Sequence, residues 1–391
     1  MQQLTVSENT MLDSSFNSHH AIVRSSMGIR LSQVETPMIG AGELLLAPLV
    51  AGLCGTDIQI LRGERNDNAR VIGHEGVAEI VQAGSGCPDY FTPGTRVLIN
   101  PTNPHDSQFL LGHNVDGLFQ EYIRIPASVI AAGLVIPVVQ TLPLTLAPLI
   151  EPLAAVFYAF QLMQPQHRGE SMIIYGDGIV GHLALLLARI CFGKRVAIIF
   201  VHHHQEGLNW SRTQKIHGDL DLLFNELSSF HIEHTNLPAP GSALIATPRH
   251  STLACLSHAV DCITPHGYVD LLGGLPEVAS VPSLPGLNLS KLRSVNCGGV
   301  PAQGVFANTY TIQNKPLILC GHRGVSNDHL LQAMTELTAN GIFYQKLISH
   351  ILDLKDAARF MDDLSKNGPR QINSQRVMKL GIRINSHLKR N

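Results

Sequence analysis

The first third of the chain alternates short apolar runs with glycine and proline. Residues 42–55 (GELLLAPLVAGLCG), 76–84 (GVAEIVQAG) and 94–99 (GTRVLI) each read as a β segment closed by a turn residue. At residue 149 the pattern changes. LIEPLAAVFYAFQLM (149–163) has helical periodicity and good helix formers. From 171 a third regime begins: SMIIYGDGIVGHLALLLARICFGKRVAIIFV (171–201) is strand, glycine-rich turn, helix, turn, strand. Further strand-like runs at 242–246 and 267–272, with helical stretches between them, predict a parallel sheet with helices on both faces. A helix at 328–341, the stretch LKDAARFMDDLSKNG and the strand-like QRVMKLGIRI complete the pattern.

Composition sharpens this picture only a little. At 391 residues the chain is too long for one simple core, so two domains are expected. Charged residues make up 15% and apolar ones 45%, and the net charge is −2, so no field favours nucleic acid or an acidic membrane face. Seven scattered cysteines give no disulfide framework. The first 20 residues lack the basic and apolar regions of a secretory leader. Apolar runs such as 183–190 are too short to span a bilayer. The expectation is a cytoplasmic protein.

Gly176-Asp177-Gly178-Ile179-Val180-Gly181 is a G-x-G-x-x-G that follows an apolar strand and opens a helix, the context in which this spacing binds a dinucleotide. Gly176 permits the tight turn, Gly178 lets the backbone approach a pyrophosphate, and Gly181 allows helix and strand to pack closely. Ile179 and Val180 then bring free N–H groups of the helix N-terminus to that anion. About 20 residues on, where an acid usually grips the ribose, the sequence reads Phe200-Val201-His202-His203-His204, and the first acid is Glu206. His203, His204 or Arg212 would suit a 2′-phosphate and hence NADP. The other reading is a solvated loop with a chance histidine run.

Three remote segments carry metal-ligand chemistry: Cys54-Gly55-Thr56-Asp57, Gly73-His74-Glu75 and Glu151-Pro152-Leu153. Zinc takes thiolate, imidazole and carboxylate ligands, and a catalytic zinc keeps one position open. Cys54, His74 and Glu151 would supply three ligands, with Glu75 as a fourth or as a neighbour supporting them. Each residue alone reads equally as structure: a buried thiol, a satisfied core histidine, a helix start.

In their order ahead of Gly176–Gly181, these segments resemble the zinc-dependent medium-chain alcohol and polyol dehydrogenases. The similarity runs from about residue 22 almost to the end, through 117–126 (GLFQEYIRIP), 266–274 (HGYVDLLGG) and 347–357 (LISHILDLKDA). Glu151 in EPL resembles the sorbitol and sugar dehydrogenase branch, where a carboxylate replaces a cysteine ligand. The resemblance implies an α/β fold: a β-rich GroES-like catalytic domain at 1–160 and 322–391, and a Rossmann-type parallel-sheet domain at 161–321. It also implies one catalytic zinc, NADP or NAD, a small-molecule alcohol or ketone as substrate, and a homo-oligomer. As a Lewis acid, such a zinc favours deprotonation of the alcohol while hydride passes to the nicotinamide. Thr56 would relay the proton, and Asp57 would cap a helix or orient a ligand.

Three departures stand out. Ala78 replaces a glycine of the zinc signature, which is tolerable if its φ is negative. Residues 88–190 contain no cysteine, so no structural zinc is expected, and 100–116 would replace that lobe at the mouth of the site. The ribose acid is missing. Asn114, Asp116, Phe119, Glu121 and Asn296 to Gly299 are the pocket candidates, while His113 and the pair His322-Arg323 read as surface. A zinc-free reductase of the same superfamily and a catalytically silent nucleotide-binding protein are the alternatives.

Overall fold

A computed structural model describes residues 17–385, apart from 27, 276–283, 285, 302–306 and 313. The sequence reading of residues 1–20 therefore lies largely outside the described residues. Two seven-stranded sheets organise the chain.

The first sheet contains Leu44–Leu53, Glu75–Ala83, Arg96–Ile99 and Val135–Pro137, paired antiparallel in that order. The strand Lys379–Arg383 lies on the other side of Leu44–Leu53, antiparallel to it, and carries Ile348–Asp353 in parallel at the edge. Leu44–Leu53 is buried along its whole length. Its Pro48, which has no N–H to donate, sits at a register shift in the pairing with Glu75–Ala83. Ala78 is fully buried in that partner strand and is absent from the residues with positive φ, so its methyl group is carried without backbone strain. A hairpin of Ser18–Ser25 and Gly28–Glu35 flanks this sheet.

The second sheet is a doubly wound nucleotide-binding arrangement. Its spatial order is Leu220–Leu223, Ala197–His202, Ser171–Tyr175, Ser242–Ile245, Tyr268–Leu271, Lys315–Gly321 and Asn308–Ile312. All neighbours are parallel except the last pair. The order reverses between Ser171–Tyr175 and Ser242–Ile245, so a crevice opens at the carboxyl ends of those two strands.

The helix Ile150–Met163 shares one buried core with Val50 and Val77 of the first sheet and with Met172 and Ile174 of the second. Together with the preceding turn it forms Leu144–Met163, 20 residues of mean hydropathy 1.5. That stretch is long and apolar enough to cross a membrane by length and composition, unlike the shorter run singled out in the sequence. Here 78% of it is buried inside the fold, which accounts for its apolar character.

The same helix corrects one surface assignment. His322 is 1% exposed, with its ring 4.4 Å from that of Tyr158. Burial, aided by the charges of Arg293 and His329, pushes its pKa down to about 3. The unfolded chain takes up this proton first, near the ordinary value of 6.5. His322 therefore contributes stability above that pH, and the contribution is lost as pH falls toward 3. His322→Gln removes this dependence. Between pH 7.5 and pH 5 the variant should lose about 2 kcal/mol less stability than the parent. Urea unfolding at both pH values tests this, and parallel losses would refute it.

Candidate active site

Cys54 caps the short helix Gly55–Leu61 at the end of the buried strand Leu44–Leu53. Its sulfur accepts from the Thr56 N–H at 3.4 Å, and Asp57 Oδ2 returns a bond to the Cys54 N–H at 2.9 Å. Helix capping thus fixes the direction in which the thiol points. The other Asp57 oxygen, Oδ1, lies 3.5 Å from His74 Nδ1. Cys54, not Asp57, is thus the N-cap, while Asp57 completes the capping box from the third helical position and lies against the His74 ring. Its contact with Nδ1 leaves Nε2 as the ring's second donor atom. His74 and Glu75 enter at the start of the strand Glu75–Ala83 and are 7% and 1% exposed. Ligand atoms of Cys54, His74 and Glu75 all lie within 4.8 Å of one another. A thiolate, an imidazole and a carboxylate this close in a buried site fit a zinc ion.

Glu151 opens the helix Ile150–Met163 beside Pro152, whose missing N–H costs nothing in a first turn. Glu151 shares a cavity wall with Cys54 and Glu75 but lies outside their tight cluster. Burial, together with the charge of Glu75, pushes its carboxyl up to about 7. Burial and Glu75 also raise the Cys54 thiol. Burial opposes charge on both His74 and Asp57, yet their mutual attraction outweighs it, holding His74 above and Asp57 below their ordinary values. One partner was missed in the sequence. Lys379, fully buried on the strand Lys379–Arg383, forms an ion pair with Glu75 Oε2.

The glycine turn lies across the same cavity. Gly176 has φ +105°, a left-handed conformation suited to glycine, and a Cβ there would meet Ala246 O at 2.5 Å. A Cβ on Gly181 would lie 1.8 Å from Gly176 O, so only glycine lets the helix Ile179–Cys191 start this close to the strand. Gly178, the N-cap residue, faces open space. Gly181→Ala should therefore displace the turn, costing about 1–3 kcal/mol and weakening nucleotide binding at least tenfold. A fluorescence titration with reduced nicotinamide cofactor that matched the parent would contradict this close-packing role.

The second strand extends to His202, one residue beyond the sequence boundary, and that residue decides the ribose end. His202 is fully buried, with Nδ1 3.7 Å from Asp177 Oδ2 and Nε2 3.3 Å from Asp221 Oδ1. Burial opposes its charge, but the two aspartates hold its pKa above the ordinary value. Asp177, inside the glycine turn, is also gripped by Arg376 through both its side chain, at 3.1 Å, and its carbonyl, at 3.0 Å. Burial pulls that carboxyl upward, but His202 and Arg376 hold it far below the usual carboxylate range.

One cavity of about 500 Å³ runs from Cys54, Glu75 and Glu151 past Gly176, Gly178, Ile179 and Val180 to His203. Thr56 lines its metal-ligand end. Arg212 does not line it; it is 60% exposed and lies 3.9 Å from Asp221. The other pocket candidates also lie elsewhere. Phe119 is in the core, Asp116 accepts from the Arg70 and Val71 N–H groups, Asn114 closes a loop onto Leu110, and Glu121 accepts from the His20 N–H. Asn296 is buried and donates to Gly321 O, and residues 297–299 do not line the cavity. Residues 100–116 contribute nothing to the cavity wall either. His113 is buried rather than on the surface, its ring 4.9 Å from that of His74. The residues missed in the sequence, Arg249, His250 and Arg370 from loops and Arg376 from the two-residue strand Gln375–Arg376, carry no motif.

Comparison with known proteins agrees with this geometry. Residues 40–135 match the alcohol dehydrogenase GroES-like domain. An uncharacterized zinc-type alcohol dehydrogenase-like protein of Haemophilus influenzae is 30% identical over 174 residues, spanning 40% of this chain and 49% of that protein. L-threonine 3-dehydrogenase of Xanthomonas campestris is 23% identical over 359 residues, 86% of this chain and 93% of the other. In fold, the chain resembles galactitol-1-phosphate dehydrogenase of Escherichia coli, with a TM-score of 0.68 at 19% identity, covering 93% of this chain and 99% of that one. With a GroES-like domain at 40–135, a doubly wound second sheet and dehydrogenase relatives along most of its length, the chain is similar to zinc-type alcohol dehydrogenases in sequence and in fold.

Proposed function

We propose that the protein is a zinc-dependent oxidoreductase that transfers hydride between a nicotinamide cofactor and a secondary alcohol or ketone of polyol or sugar type. The observation that carries this reading is the cavity lined at one end by Cys54 and Glu75, whose ligand atoms lie within 4.8 Å of that of the buried His74, and at the other by the glycine turn. At that end Cys54 and Glu151 from the cavity wall and the adjoining His74 would hold the metal, with Glu75 a ligand or a supporting neighbour. When bound, zinc supplies Lewis acidity toward the substrate oxygen. The chain's own groups do the rest. Asp57 fixes the His74 ring. Thr56, which lines the cavity, would pass a proton outward from the substrate hydroxyl. Gly178 and the helix behind it receive the cofactor pyrophosphate. The apolar walls, such as Ile58 and Ala155, keep water from the reacting carbon.

Gln59, Arg62, Glu64 and Arg370 line the same cavity and suit a substrate with several hydroxyls. A galactitol phosphate dehydrogenase among the fold neighbours is in keeping with this class. The working division of the chain is a catalytic unit of 1–160 with 322–391 and a nucleotide unit of 161–321. We place the protein in the cytoplasm as a homo-oligomer, with a single zinc and no structural one.

The test combines elemental analysis with a screen of polyols, sugars and ketones against NAD and NADP, followed at the reduced-nicotinamide absorbance. One zinc per chain with turnover of a polyol is the expected result. Turnover by a metal-free preparation would replace this reading with the zinc-free reductase. Nucleotide binding without turnover of any substrate would point to the silent protein.

A further inference from the structure

The adenosine end of the cavity has an unusual charge pattern. The strand Ala197–His202 ends in an imidazole where a ribose-gripping acid would stand. That imidazole is committed to Asp177 and Asp221, and Asp177 is also bound by Arg376. Neither aspartate is left with an uncommitted charge. Glu206, the first acid beyond the strand, does not line the cavity and accepts instead from Gln371 Nε2 at 3.1 Å. No carboxylate is therefore presented to a ribose diol at this end among the described residues.

Cations take its place. His203 follows the strand end onto the cavity wall, and across the crevice, beyond the intervening strand Ser171–Tyr175, Arg249 and His250 come from the loop after Ser242–Ile245. The His203 and His250 rings lie 6.2 Å apart. Arg249 Nε is buried and has no hydrogen-bond partner. None of the three residues pairs with a carboxylate among the described residues. Burial and the positive charges of His204, His250 and Arg376 hold the His203 pKa down against the opposing pull of Asp177, so an anion placed between these groups would be drawn in and would favour protonation. A buried guanidinium nitrogen without an acceptor, in a cleft rimmed by imidazoles, calls for a doubly charged, oxygen-rich group.

We propose that Arg249, with His203 and His250, forms a 2′-phosphate subsite that makes the protein select NADP over NAD. This rests on the nicotinamide-cofactor reading above and extends it to two residues, Arg249 and His250, that have no sequence motif. Arg249 is the specificity-determining residue, because its guanidinium is permanently charged and reaches the cavity from a loop that the pyrophosphate does not use. His203 and His250 add a pH dependence, with the phosphate-bearing cofactor held more tightly as pH falls through the histidine range.

The experiment is direct binding of NADPH and NADH to the full chain, read by nicotinamide fluorescence, with 2′,5′-ADP and 5′-AMP as competitors. The parent protein should bind NADPH at least tenfold more tightly than NADH, and 2′,5′-ADP should compete better than 5′-AMP. Arg249→Gln should weaken NADPH by about thirtyfold and leave NADH within about threefold. The double variant His203→Ala/His250→Ala should flatten the pH dependence of NADPH binding. Tighter binding of NADH by the parent, or an equal loss of both cofactors in Arg249→Gln, would overturn the subsite while leaving the oxidoreductase reading in place. Binding of neither cofactor would sink that reading and the subsite with it.

Discussion

Cys54→Ser should lower turnover about a thousandfold, equivalent to about 4 kcal/mol of transition-state stabilisation, and leave less than one zinc per chain. Serine keeps the geometry that the thiol gives the helix Gly55–Leu61, because a hydroxyl is itself a good N-cap. Unfolding should therefore be little changed, which separates a lost ligand from a lost fold. His74 and Glu75 remain in place, so residual weak metal binding is expected rather than none. Full turnover at undiminished zinc content would remove Cys54 from the site.

The second large effect concerns Lys379. Its ammonium and the Glu75 carboxylate are both buried and satisfy one another. Lys379→Met deletes one charge and leaves the other stranded in the interior, which should cost about 3–5 kcal/mol. The double variant Lys379→Met/Glu75→Gln should recover most of that loss, because no charge then lacks its partner. Urea unfolding of the three proteins makes the comparison. A single variant as stable as the parent would mean that Glu75 has another partner when Lys379 is absent. The pair also bears on Glu75 itself, since a carboxylate committed to an ammonium is a weaker ligand than a free one.

The sequence made the strand and helix order legible because the periods are clean. The run 171–201 divides into Ser171–Tyr175, Ile179–Cys191 and Ala197–His202 almost as its apolar pattern suggests. Cys54, His74 and Glu75 could be grouped because their local motifs are distinctive and the family resemblance links them. Lys379 and Arg376 could not. A lysine within a strand-like run reads as a solvent-facing residue, and here it is buried because its strand is inserted beside the fully buried Leu44–Leu53. Arg376 lies in the two-residue strand Gln375–Arg376, too short to leave a periodic pattern, and its partner Asp177 is 199 positions away. The His202 to His204 run was ambiguous for a related reason. The strand ended one residue later than its apolar pattern suggests, and that single step sends His202 inward and His203 to the cavity. The segment 100–116 was expected at the mouth of the site on resemblance alone, and none of its residues lines the cavity.

The insertion of Lys379–Arg383 next to Leu44–Leu53 also bears on how the chain is made. Glu75 and Lys379 are 304 positions apart, so the ion pair beside the proposed metal ligands cannot form until nearly all of the described chain has been synthesised. The nucleotide sheet, drawn from one continuous stretch, can assemble earlier during translation, whereas the sheet that holds Cys54 and His74 must wait with an open edge. Metal loading should therefore be a late, post-translational event. Nascent chains stalled before residue 379 should bind nucleotide yet retain no zinc.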